Sequence, residues 1–295
     1  MARRGNRSGA AAWIRSAAGT GLVAWGCGIL GAGLAHADEQ LFAFARGAET
    51  VPKGHGELYQ FATLRTGKKS GDYYAFDFET EAEYGFTDRL QASVSIVNHY
   101  FDVHDVEEQP DRTSYKFGGV EGSAKYRVLS PFQDPIGLAL RVETGYLEHD
   151  DVGGFRQDEI VLHPELDLQK NFLDDTLIWD LDLGVEWAWG KQPAEQYPRE
   201  VSLEASTGVA YRFASNWYLG AEVHERSEFP RFDLSNHEHT VVYAGPSLHY
   251  GTERWWATVS WLYQAYGRGV GETNQNVTFA EEQRQVVRLK FGWNF

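Results

Sequence analysis

The end of the chain alternates without a break. Phe295, Trp293, Phe291, Leu289 and Val287 fall on one face, and Asn294, Gly292, Lys290 and Arg288 on the other. A period of two is that of a β-strand, and one oily face beside one charged face needs an apolar medium on one side and a polar space on the other. The same alternation recurs in twelve stretches, roughly 56–67, 73–86, 90–103, 115–129, 136–148, 159–172, 176–190, 200–214, 217–230, 238–250, 255–267 and 280–295. Each is long enough to cross a bilayer as a tilted strand, which takes about 9–11 residues.

The connections alternate in length. Short ones at 87–89, 130–135, 173–175, 215–216 and 251–254 are interleaved with longer ones at 67–72, 104–114, 149–158, 191–199, 231–237 and 268–279. Transmembrane barrels show this sorting, and an even strand count returns both ends to the short-turn, periplasmic side. One face of 73–86 carries Tyr74, Phe76, Phe78, Tyr84 and Phe86, and one face of 176–190 carries Leu177, Trp179, Leu181, Leu183, Val185, Trp187 and Trp189. Backbone polar groups cannot stay unpaired in hydrocarbon, so such strands must close on themselves. The expected fold is all-β: a single antiparallel transmembrane β-barrel of about 12 strands, with short periplasmic turns and longer external loops. The competing arrangement is a soluble sandwich with the apolar faces as its core. It requires neither the sorted loops nor strands of this length.

Arg3, Arg4, Arg7 and Arg15, then an apolar run from Ala17 to Leu34, then Ala35-His36-Ala37, have the form of a secretory signal cleaved after Ala37. The single Cys, Cys27, lies in that segment, so no disulfide framework is expected in the remainder. A net charge of −15 excludes nucleic acid as a partner. Residues 38–55 form a separate N-terminal segment. Leu41-Phe42-Ala43-Phe44 fits either a short strand or a plug in the lumen, and Pro52 and Gly54 interrupt any continuous strand before the barrel at 56–295.

The inward face is densely charged. Its acids are Asp77, Glu79, Glu81, Glu83, Glu165, Asp167, Asp180, Asp182 and Glu186, and its bases Lys125, Arg127, Arg141, Arg284, Arg288 and Lys290. Gln60 is a further candidate for the lumen. A hairpin about Asp174-Asp175 sets Asp167 near Asp180 or Asp182, Glu165 near Asp182 and His163 near Glu186. Two carboxylates about 5 Å apart repel by roughly 3 kcal/mol at an effective dielectric near 20. Protonation, a cation, water or a reaching arginine must relieve this. Three readings follow: a lumen plugged by ion pairs, a narrow cation-preferring pore, or a metal site at His163, Glu165 and Asp167 with hard or borderline donors. His237 and His239, two residues apart, are expected to share a face. No cofactor is expected.

A catalytic constellation is not evident. Ser95 and His99 share a face but stand about 13 Å apart along a strand. The nucleophile elbow, the zinc-protease motif and the phosphate loop are all absent from the sequence.

The phrase Glu83-Tyr84-Gly85-Phe86-Thr87-Asp88-Arg89-Leu90-Gln91 resembles the strand–turn–strand phrase of small porin-like outer-membrane proteins. With the Phe295 ending, the chain resembles an uncharacterised bacterial family of outer-membrane β-barrels akin to small porins and transporters. The resemblance implies an outer-membrane location, surrounding lipid and lipopolysaccharide, and handling by the barrel-assembly machinery through the strand ending in Phe295. It implies passive passage of small solutes, with cations favoured by the acidic lumen. The alternatives are an outer-membrane hydrolase acting on lipid or peptide, and a non-conducting structural or binding barrel.

Overall fold

The computed structural model describes residues 40–107, 109–190, 199–269, 277–279 and 282–295; the signal expected at the chain start lies outside them. Its strands are β1 (Gly56–Thr66), β2 (Asp72–Thr87), β3 (Leu90–His104), β4 (Arg112–Leu129), β5 (Gly137–His149), β6 (Arg156–Phe172), β7 (Leu177–Trp189), β8 (Arg199–Ala214), β9 (Trp217–Pro230), β10 (His239–Gly251), β11 (Trp255–Gly269) and β12 (Gln285–Asn294). Each pairs antiparallel with its sequence neighbours, and β1 pairs with β12 to close the barrel. The ladder of closure runs from Glu57 opposite Asn294 to Thr66 opposite Gln285. Phe295 extends it: its N–H and C=O both bond Gly56 at 2.9 Å.

Exposure separates the barrel from the sandwich. Val94, Trp261 and Leu289 are 60%, 54% and 50% exposed, while Lys125 and Asp167 are 1% and 0%. A soluble sandwich would invert that order, because its apolar faces form the core. Here the oily side chains cover the outside and the ionised ones surround the axis, as hydrocarbon outside and a polar lumen require.

The tight turns use backbone conformations that hairpins need. Asn216, in the two-residue β8–β9 turn, has φ +68°, and Asp174 and Asp175, between β6 and β7, have φ +53° and +59°.

Three expectations are corrected. Strand β12 begins at Gln285 rather than 280, because the preceding backbone is spent elsewhere: Arg284 N–H on Gly67 O, and the carbonyls of Thr278 and Gln283 on Gln264 Nε2. Gln60 faces outward. Tyr59, Phe61 and Thr63 take the lumen side of β1, and Gln60 satisfies itself on Thr80 Oγ1 and Glu79 O. His237 and His239 do not share a face. His237 precedes β10, bonds Thr240 Oγ1 and lies edge-on to Phe229, whereas His239 points inward between Glu228 and Glu282.

Candidate functional site

Residues 40–55 form no strand, so their backbone polar groups need partners inside the protein. They find them on inward side chains around the barrel wall. Glu222 of β9 accepts the N–H groups of Ala43, Phe44 and Ala45 at 2.9, 2.7 and 2.6 Å. Asp182 of β7 accepts Arg46 N–H at 2.6 Å, Gln169 of β6 accepts Ala48 N–H and Gln91 of β3 accepts Val51 N–H. The carbonyls go to cations: Arg288 of β12 bonds Ala43 O and Lys125 of β4 bonds Gly47 O. Lys290 holds the Gln40 side chain, and Arg127 holds Glu49, whose other oxygen takes Ser130 Oγ–H.

Partners on β3, β4, β6, β7, β9 and β12 encircle the segment, so it lies within the lumen. Gln91, Lys125, Arg127 and Gln169 sit near the short-turn ends of their strands and Asp182, Glu222 and Arg288 near mid-strand, so the segment fills the lumen from the short-turn end to about its middle. Packing there is dense. Leu41, Phe42, Ala43, Ala45 and Ala48 are buried, with Leu41 and Phe42 packed on Ile178, Ala210 and Tyr218. Phe44 stacks on His224 at 4.0 Å, under the Arg288 guanidinium at 4.6 Å. Phe42 lies where the wall has no side chain: a Cβ at Gly208 would stand 2.6 Å from its ring, and one at Gly220 2.9 Å. Farther along, Gly54 N–H bonds Gly85 O, Thr50 Oγ–H bonds Asp88 O, and Lys53 N–H bonds the Asp88 carboxylate. A Cβ at Gly85 would collide with the carbonyls of Val51 and Pro52. The phrase from Glu83 to Gln91 is thus the floor on which the segment docks.

Beyond the segment the lumen changes character. Glu143, Glu186, Glu204, Arg226 and Glu228 point inward, yet their side chains keep 24%, 21%, 17%, 30% and 16% of their exposure. Inward groups keep such exposure only where there is room for water. This chamber is predominantly acidic. Arg226 bonds Glu186, Glu204 and Glu228 at once, and Arg141 bridges Glu143 and Glu165. Above it the β5–β6 connection reaches inward. Arg65 Nη1 lies 2.8 Å from Asp151, and Tyr73 O–H bonds Val152 O at 2.9 Å. Asp77 receives both Arg65 at 2.9 Å and His99 Nδ1 at 2.7 Å. Burial pushes the Asp150 carboxyl up, whereas the positive charges of Arg65, His99 and Arg226 hold Asp151 below the usual carboxylate range.

The sequence-derived site residues divide among these layers. Asp182 and Lys125 grip the segment, as do Arg127, Arg288 and Lys290. Asp180 and Asp167 are buried at its level, and Glu83 is held by Tyr59 and Gln91. Glu79 and Glu186 are partly exposed on the inner wall, where Glu81 is buried and Asp77 belongs to the upper cluster. Arg284 lies before β12, with its guanidinium over Phe279 at 4.6 Å. Glu165 and Asp167 converge with Asp182, and His163, lying against Gly184, brings Nε2 to 3.7 Å from Glu165. The residues missed in sequence were Glu222, Gln169 and Gln91 as acceptors for the segment. The usable signal was a non-repetitive stretch whose N–H groups needed acceptors.

The profile of a family of unknown function (DUF6662) matches residues 34–295. No curated protein matches in sequence. Among solved structures the chain is similar to the COG4313 outer membrane channel from Pseudomonas putida F1, at 13% identity and TM-score 0.60, over 84% of this chain and 98% of that one. It is also similar to the NanC porin (13% identity, TM-score 0.50, 80% and 98% covered) and to the β domain of the Bordetella autotransporter BrkA (12% identity, TM-score 0.52, 82% and 100% covered). At these identities the likeness is one of fold, the fold of outer-membrane barrels.

Proposed function

The chain belongs to this family of unknown function, and we propose that it is an outer-membrane channel for small solutes that favours cations and is closed by its own residues 40–52. The observation that carries the reading is the layering of the lumen. A water-accessible chamber rich in glutamates stands directly over a floor of buried side chains. A barrel with a purely mechanical role needs no such chamber. A chamber walled by one sign of charge concentrates counter-ions and repels co-ions. The named likeness to a channel and a porin supports the same reading.

The closed floor is the observation favouring a non-conducting binding barrel. The channel reading therefore requires the segment to leave. Its grip is suited to that: every backbone bond from residues 43–51 described above runs to a side chain of the wall rather than to a strand, so undocking breaks no ladder.

Purified protein in a planar bilayer under a tenfold KCl gradient tests the reading. Reversal toward the K⁺ equilibrium potential is expected. Replacing Glu143 and Glu186 by Gln should move the reversal potential toward zero by about a third to a half, as fixed charge in the narrow chamber is removed. Reversal toward Cl⁻, or turnover of phospholipid or peptide by the same preparation, would overturn it.

A further inference from the structure

Glu165 and Asp167 of β6 and Asp182 of β7 each bring one carboxylate oxygen within 4.8 Å of the other two. Asp167 and Asp182 stand directly opposite in the ladder. Their neighbours only partly answer this charge. Arg141 bonds Glu165 but divides its guanidinium with Glu143. Lys125 lies 3.8 Å from Asp167 Oδ2, beyond hydrogen-bond length, and donates to Gly47 O. Among the described residues, neither oxygen of Asp167 accepts a hydrogen bond, and Oδ1 of Asp182 accepts none, though the two residues are 0% and 3% exposed. A native protein pairs its buried polar groups, so a buried carboxylate without a donor on either oxygen calls for a ligand.

We infer that these three carboxylates bind one hard divalent cation of the Ca²⁺ class. The donor set is oxygen only. Ca–O distances of about 2.3–2.6 Å place two donors on opposite sides of the ion about 5 Å apart, so three oxygens within 4.8 Å of one another can share one such ion. Mg²⁺ needs about 2.1 Å and near-octahedral order, which draws opposed donors to roughly 4 Å. His163 borders the set, with Nε2 3.7 Å from Glu165 Oε2. The ion would also act on the N-terminal segment. Asp182 holds Arg46 N–H through Oδ2, and coordination through Oδ1 would fix that carboxylate in place.

The test is a calorimetric titration of CaCl₂ into the full barrel, folded in detergent with EDTA and then dialysed, alongside its melting temperature. One site per chain, a higher melting temperature with Ca²⁺ and a smaller rise with Mg²⁺ are expected. Asp167→Asn and Asp182→Asn are near-isosteric, and each should weaken binding by about tenfold or more. Glu253→Gln, in the exposed β10–β11 turn, should leave it unchanged. A wild-type barrel with neither heat nor thermal shift overturns the site, whether or not the variants fold. So does binding that survives both asparagine substitutions together, and so does a proton uptake that Ca²⁺ does not displace.

Discussion

Deletion of residues 40–52 is expected to raise the conductance of the barrel in a planar bilayer by about tenfold or more, because it removes a dehydrated obstruction from a water-filled path. The barrel itself should survive. Strand β1 begins at Gly56, and its pairing with β12 and β2 uses nothing from residues 40–52. The deletion does expose a costly set of groups. Glu222, Asp182 and Gln169 lose the N–H donors of Ala43 to Ala48, and Lys125, Arg127, Arg288 and Lys290 lose oxygen partners. Water entering the cleared lumen hydrates these groups, which is itself the condition for conduction. A folded deletion variant with no more current than the parent would show that the lumen is shut elsewhere, the loop latched by Arg65 and Asp151 being the next candidate.

Glu222→Gln should loosen the segment without removing it. One carboxylate accepts three consecutive N–H groups, and hydrogen bonds to a charged partner contribute about 1.5–3 kcal/mol each. The amide keeps one acceptor oxygen and presents its own N–H groups to the remaining donors. A loss of about 3 kcal/mol is a reasonable net figure after water re-enters, which multiplies the undocked population by about a hundredfold. In single-channel records this should appear as more frequent openings at unchanged open-state conductance. An unaltered open probability would mean that Phe42, over Gly208 and Gly220, and Phe44, between Arg288 and His224, hold the segment without help from the carboxylate.

The fold was legible because its signal is repeated and one-dimensional. Alternation places Leu183, Val209 and Phe291 outside and Asp182, Gly208 and Lys290 inside without reference to any contact. Only local cases misled. Gln60 reads as polar and hence inward, but it can face outward because Thr80 on the paired strand shares its hydrogen bonds. The inward faces were legible as a list of charges, yet their roles were not. Asp182 and Glu143 look alike in sequence. One is committed to a backbone N–H of Arg46, 136 residues away, and the other lines water beside Arg141. Which acid does which depends on where residues 40–52 come to rest. That segment has no periodicity to betray it, and its contacts span separations of 121 to 179 residues on β6, β7 and β9.

The central claim, a barrel with its own N-terminal segment buried in the periplasmic half of an aqueous lumen, is tested most directly by cysteine accessibility. The chain has one Cys, Cys27, and none from residue 38 onward, so single substitutions in a barrel refolded from residues 38–295 report without background. With the folded protein in lipid vesicles, a water-soluble maleimide should modify Glu143→Cys readily. Ala45→Cys should react slower by about a hundredfold or more until the barrel is unfolded, in keeping with its 0% exposure. Equal, rapid modification at both positions in the folded barrel would contradict the account.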